Sequence, residues 1–143
     1  MKKQTLFSPN DEAKNFLENL VGELQPESGS TMIDVGCGTG MHSKYLAAKG
    51  FQVIGIDLAF SNIKQAKKSE NALLRFYRHD MRMPFGKENF DDVFNFFTSF
   101  GYFKNEREPT RVLENMSEAL KPGGMLVLDH INHVYAEKNL VAD

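Results

Sequence analysis

The stretch "TMIDVGCGTG", Thr31 to Gly40, joins a short apolar run to three glycines within five residues, at Gly36, Gly38 and Gly40. Each glycine raises the entropy cost of ordering the chain, so three together imply a backbone conformation or an approach distance that side chains forbid. The apolar run reads as a buried strand, and "MHSKYLAAKG" after the loop reads as a short helix closed by Gly50. A glycine turn between strand and helix leaves three explanations open. It is a plain structural turn, a phosphate-binding loop for a dinucleotide, or a loop pressed against another nucleotide-like ligand.

The same alternation recurs along the chain. Ser8 is placed to cap a helix with Pro9 in its first position, and Ala13, Phe16, Leu17, Leu20, Val21 and Leu24 then form one helical face. "FQVIGIDL" (Phe51 to Leu58) predicts a second strand and "FSNIKQAKKSEN" (Phe60 to Asn71) a helix. "LLRFYRHD" (Leu73 to Asp80) predicts a third strand and "DDVFNFF" (Asp91 to Phe97) a fourth. A helix from about Pro109 to Leu120 ends at "KPGG", and "MLVLDHI" (Met125 to Ile131) is the fifth strand. Strands alternating with helices predict a mainly parallel sheet covered on both faces, with ligands held beyond the carboxyl ends of the strands.

Composition narrows the classes. The 143 residues suit one domain, spanning 1–143, and 41% hydrophobic with 25% charged residues is an ordinary globular balance. A formal charge of −2 gives no electrostatic footprint for nucleic acid or an anionic membrane, and Lys64, Lys67 and Lys68 read as a solvated helix face. The single cysteine, Cys37, cannot form an internal disulfide, and no metal-ligand pattern is present. Without a signal-peptide core or a membrane-length apolar run, the expectation is a soluble cytoplasmic protein.

The chemistry is expected just after each strand. A dinucleotide loop would carry its third glycine at the sixth position, where this chain has Met41; the third glycine stands at the fifth, and Asp34 precedes the loop inside the strand. Asp57 ends the second strand in "GID", where a carboxylate can accept from both hydroxyls of a ribose; a helix cap near Ser61 is the structural alternative. Asp80, in "RHDMRMPF", is placed to reach an adenine amino group with the Met81 amide beside it, the alternative being a turn.

In order and spacing, "IDVGCGTG", "VIGIDLA", "RHDMRMPF", "FDDVFNFF" and "LKPGGMLVLDH" resemble the successive motifs of class I S-adenosylmethionine-dependent methyltransferases, from about Phe16 onward. The resemblance implies a Rossmann-like three-layer α/β sandwich with strand order 3-2-1-4-5. It implies that Asp34, Gly36, Cys37, Gly38 and Gly40 receive the methionine part of the cofactor. Asp57 would hold the ribose, Leu58 would lie beside the adenine, Asp80 and Met81 would read its edge, and Phe97 to Ser99 would border the substrate. The implied activity is methyl transfer from S-adenosylmethionine to a small-molecule acceptor by direct displacement, releasing S-adenosylhomocysteine. Such a displacement requires in-line geometry and no protein nucleophile. If the acceptor must lose a proton, His42, His79, His130 and His133 are the available bases, and His130, beyond the fifth strand, is the best placed. Phe96, Phe97, Phe100, Tyr102 and Phe103 are available near the sulfonium or the acceptor pocket, with Phe94 and Phe96 expected in the core.

Two departures qualify the resemblance. The Asn-Pro-Pro-Tyr-like segment of enzymes that methylate nucleic-acid bases is replaced by "NFFTSFGYF", which argues against DNA or RNA as substrate. The family's sheet ends in an antiparallel hairpin, whereas this sequence stops soon after its fifth strand, so a missing hairpin and an exposed edge, open to homodimer pairing, are expected. The rival readings are a cofactor-binding module without turnover and, disfavoured by Met41, an NAD-linked oxidoreductase.

Overall fold

The computed structural model describes residues 9–96, 107–128 and 134–137. Its elements are α1 (Pro9–Leu24), β1 (Thr31–Val35), α2 (Met41–Ala48), β2 (Gln52–Asp57), α3 (Phe60–Ala66), β3 (Leu74–Arg78), β4 (Phe90–Asn95), α4 (Arg107–Ala119), β5 (Leu120–Leu128) and β6 (Val134–Glu137). A 3₁₀ turn, Lys67–Ser69, extends α3. The sheet runs β3-β2-β1-β4-β5-β6, parallel through β5. The order reverses between β1 and β4, which puts the switch point of the sheet beside the glycine loop.

Each sheet face buries a separate apolar cluster. On one face Leu17 and Leu20 of α1, Leu46 of α2 and Ile63 of α3 pack with Met32, Val53, Phe76 and Phe94. On the other, Val112, Met116 and Ala119 of α4 pack with Ile33, Val35 and Val93. Val112 and Met116 are wholly buried, and truncating an aliphatic side chain in such a position costs about 2–5 kcal/mol. The expected core positions Phe94 and Phe96 are 1% and 4% exposed.

Two sequence boundaries shift for tertiary reasons. Strand β5 begins at Leu120 because Leu120 pairs with Phe90; the register then jumps from Phe90–Leu120 to Asp92–Met125, so "KPGG" bulges out of a strand that continues beyond it. A Cβ on Gly124 would lie 2.6 Å from the Asp91 carbonyl oxygen, so the bulge requires a glycine there. The second shift is β6, which pairs antiparallel with β5 from Leu128–Val134 to Met125–Glu137.

The expectation that the fifth strand is an exposed edge is corrected: β6 pairs with it, and on that side the sheet ends at β6. At the opposite edge, the outward backbone groups of Leu74 and Phe76 on β3 are occupied. The Phe76 N–H donates to the Glu70 carboxylate at 2.8 Å, the Lys67 ammonium donates to the Phe76 carbonyl at 2.9 Å, and Leu74 exchanges backbone bonds with Asn71. The Phe76 N–H holds the Glu70 carboxyl below its usual range, with Lys67 adding to the effect. Occupied edge groups remove the template for strand addition. No helix among the described residues is long and apolar enough to cross a membrane.

Candidate functional site

The loop after β1 owes its shape to three left-handed glycines, Gly36 at φ 77°, Gly38 at φ 61° and Gly40 at φ 91°. Its first turn is pinned to the neighbouring strand, because the Gly36 and Cys37 N–H groups both donate to the Ile56 carbonyl at 2.9 Å. The Gly40 N–H closes the turn on the Cys37 carbonyl at 3.0 Å. Helix α2 starts at once, with no side-chain cap on its first turn. Uncapped N–H groups at a helix start favour an anionic ligand group.

The glycines are not equivalent. A Cβ on Gly40 would lie 2.5 Å from Cζ and 2.8 Å from Cε1 of Phe76. A Cβ on Gly55 of β2 would meet the same ring at 2.6 Å. The Phe76 ring thus fills a slot between two absent side chains and props the loop from beneath. Gly38 is the opposite case, since a Cβ there meets nothing within 4 Å and the backbone faces open space.

Asp57 joins the loop to the next strand end. Its Oδ2 accepts the Gly38 N–H and its Oδ1 accepts the Ala59 N–H, each at 2.8 Å. The expected cap near Ser61 is accordingly an Asx-type bond to Ala59, two residues on. One carboxylate thus holds the glycine loop and the entry to α3 together, and each oxygen keeps a second lone pair. Leu58 beside it is 50% exposed.

Asp34 lies deeper than the sequence suggests. It is 1% exposed and accepts the Ser43 hydroxyl at 2.7 Å, tying β1 to the first turn of α2. Burial raises its pKa to about 7, against the lowering effect of the Ser43 bond and with a further push from Asp57. Cys37 is buried too, and burial first, then Asp34 and Asp57, drives its thiol far above the ordinary range, so it is no nucleophile at neutral pH. Both residues act from under the loop.

At the end of β3, Asp80 is occupied by its neighbour. Arg82 Nη2 lies 2.7 Å from Oδ2, Arg82 Nε lies 2.9 Å from Oδ1, and the Arg82 N–H adds a third donor at 2.9 Å. These bonds hold the Asp80 carboxyl below its usual range. The Met81 carbonyl accepts from Asn115 of α4 at 3.0 Å, while its N–H has no acceptor among the described residues. His42, behind the loop, packs against Phe96 with centroids 4.8 Å apart and the rings tilted by 31°, and burial lowers its pKa to about 4. It is therefore a neutral imidazole at physiological pH. His130 and Phe97, and with them Ser99, Phe100, Tyr102, Phe103 and His133, lie outside the described residues.

One residue went unnoticed in the sequence. Asn95, the last of β4, is 1% exposed; its Nδ2 donates to the Val35 carbonyl at 3.0 Å, and its Oδ1 is buried with no partner. The only signal available was an amide within the apolar run "VFNFF". A concavity of about 450 Å³, lined by Thr31, Gln52, Leu73, Arg75, Phe85 and Asn89, lies at the amino ends of the strands, away from the loop. It arises because no helix connects β3 to β4 to cover that flank.

The geometry places a glycine loop, Asp57 and Asp80 at three successive strand ends. A methyltransferase domain family matches residues 33–128. The chain belongs to the class I S-adenosylmethionine-dependent methyltransferases. Among solved structures it is similar to S-adenosylmethionine-bound CalS10, an amino pentose methyltransferase from Micromonospora echinaspora. That match has a TM-score of 0.70 and 30% identity over 87% of this chain and 51% of the other. It is 32% identical to a ubiquinone biosynthesis O-methyltransferase of Leptothrix cholodnii, over 82% of this chain and 50% of the relative. It is also 32% identical to a tRNA U34 carboxymethyltransferase of Pseudoalteromonas translucida, over 78% of this chain and 35% of the relative. The chain thus spans about half the length, or less, of the relatives it matches.

Proposed function

We propose that residues 1–143 form one S-adenosylmethionine-binding domain whose pocket lies beyond β1, β2 and β3, and that it serves methyl transfer to a small-molecule acceptor. The observation that carries this reading is the Asp57 carboxylate, which spans from the Gly38 amide to the Ala59 amide and keeps lone pairs for ribose hydroxyls. The donor set fits the cofactor. The open face of Gly38 admits close approach, the uncapped start of α2 suits a carboxylate, exposed Leu58 offers apolar cover for a base, and the free Met81 N–H suits a ring nitrogen.

In this reading Gly36 and Gly38 line the methionine end, while Asp34, Cys37 and Gly40 shape the loop from below. Asp80 accepts an adenine amino hydrogen beside the bonds it receives from Arg82. When bound, the cofactor supplies a methyl group on a positively charged sulfur, which an acceptor takes by direct displacement. The chain's contribution is to hold the reactants in line, since direct displacement needs no protein nucleophile. His130 is the base assigned for acceptors that must lose a proton.

Two features support a small acceptor: the charge of −2 offers no footprint for nucleic acid, and two of the three relatives named above carry small-molecule names. Isothermal titration with S-adenosylhomocysteine and with NAD tests the pocket. Binding of the first and not the second is expected, with at least a tenfold loss in Asp57→Ala; unchanged affinity in that variant would refute the site. Binding without methyl transfer across a panel of small acceptors would favour the rival module without turnover.

A further inference from the structure

The connection from β3 to β4 contains no helix or strand, so side-chain packing and single hydrogen bonds hold it in place. Its first turn, from Asp80 to Met83, is closed locally. The Met83 N–H donates to the Asp80 carbonyl at 2.9 Å, and the Arg82 N–H donates to Asp80 Oδ1 at 2.9 Å. These bonds give the turn its shape but move with it. Two others reach the body of the domain. The His79 N–H donates to the Asp57 carbonyl at 3.0 Å, and Asn115 Nδ2, 34 residues further along the chain on α4, donates to the Met81 carbonyl at 3.0 Å. Because the Met81 carbonyl and the Arg82 N–H belong to one peptide plane, Asn115 and Asp80 grip that plane from its two ends. It is the middle peptide of the turn, whose rotation would convert one turn type into another.

Asn115 is 7% exposed and shares a helix face with Val112, Met116 and Ala119, all wholly buried. An apolar residue in its place would avoid the cost of burying an amide, so the bond to Met81 is what the amide contributes. We propose, resting on the cofactor reading above, that Asn115 is a positioning residue for base recognition, setting from α4 where the Asp80–Met81 edge stands. It touches no ligand itself. Adenine presents an amino donor and a ring-nitrogen acceptor, which match the Asp80 carboxylate and the Met81 N–H. Hypoxanthine reverses both, setting a carbonyl against the carboxylate and an N–H against an N–H. Hydrogen bonds tolerate only about half an ångström of error, so a turn that drifts loses this distinction.

The test is a thermodynamic cycle between position 115 and the base, in which a general loss of folding or affinity cancels. S-adenosylhomocysteine and S-inosylhomocysteine, which carries an oxo group in place of the amino group, are titrated into the full chain and into Asn115→Leu and Asn115→Ala. The parent is expected to prefer the adenine ligand by about tenfold or more, and both variants should lower that preference to within about threefold. A residue serving stability alone would weaken both ligands alike and keep the ratio. Asn115→Leu, apolar and of similar size, suits the buried face and keeps the cycle readable if Asn115→Ala does not fold. The parental ratio in either folded variant overturns the positioning role and leaves the pocket standing. Equal binding of both ligands by the parent overturns the base-edge assignment and this role with it, and binding of neither overturns the cofactor reading itself.

Discussion

Replacing Gly40 and Gly38 by alanine, one at a time, separates two duties that look identical in "GCGTG". At Gly40 the new Cβ would lie 2.5 Å from the Phe76 ring. That ring is fully buried and also lies close against the backbone of Gly55, which leaves it little room to move. Overpacking of this kind costs about 1–3 kcal/mol, and holding an L-residue near φ 91° adds about 1–2 kcal/mol. The total of about 2–5 kcal/mol is a large part of a typical domain's stability and corresponds to a fall in Tm of about 8–20 °C. At Gly38 the φ of 61° lies in the narrow left-handed basin open to L-residues, and the new methyl meets open space. Its folding cost is about 1 kcal/mol, a fall of about 3–5 °C. The methyl does, however, occupy the face assigned to the cofactor, and a tenfold or greater loss of S-adenosylhomocysteine affinity is expected. Thermal melts followed by circular dichroism, paired with titration calorimetry, read both effects. A Gly40→Ala protein melting within 2 °C of the parent would refute the wedge. A Gly38→Ala protein with parental affinity would refute the assignment of that face.

Two further outcomes follow from buried or edge charges. Burial first, then repulsion from Asp91, raises the pKa of Asp92 to about 7. Because the folded-state value exceeds the unfolded one of 3.8, the destabilisation is absent below about pH 4, grows as pH rises and is complete above about pH 7. Asp92→Asn should therefore be more stable than the parent at pH 8, by up to about 4 kcal/mol, and equal to it near pH 4; urea melts across that range that stay parallel would contradict the burial argument. Removing Lys67 and Glu70 together, as alanines, frees the Phe76 N–H and carbonyl on the outer edge of β3. Light scattering should then show concentration-dependent association greater than in the parent, and an unchanged profile would show that the edge is protected by other means.

How far the sequence could be read depended on whether a feature was local. Strand β1 was legible to the residue because an apolar run meets a glycine turn at Gly36, and α1 began at Pro9 as the helix-start signal indicated. The start of β5 was not legible, since Leu120 is strand only by virtue of pairing with Phe90 across the "KPGG" bulge. Likewise β6 has no pattern of its own strong enough to mark it; its bonds come from the edge of β5. In the site, Asp57 and Asp80 were legible as acids ending strands. What they hold was not, because Gly38 and Arg82 reach them through the turn geometry.

The sequence by itself determined the alternation of strand and helix, the glycine loop and the acids that follow β2 and β3, because period, turn chemistry and spacing act over a few residues. The division of labour among those residues was decided by tertiary structure. Gly40 is a packing position only because Phe76, 36 residues later, fills the space its Cβ would need. Asp34 becomes a strut because Ser43 meets it beneath the loop, and Asn95 becomes a bridge because β1 and β4 part at Val35. Contacts between residues far apart in the chain leave no local trace in the sequence, and here they separate the face assigned to the ligand from the frame that holds it.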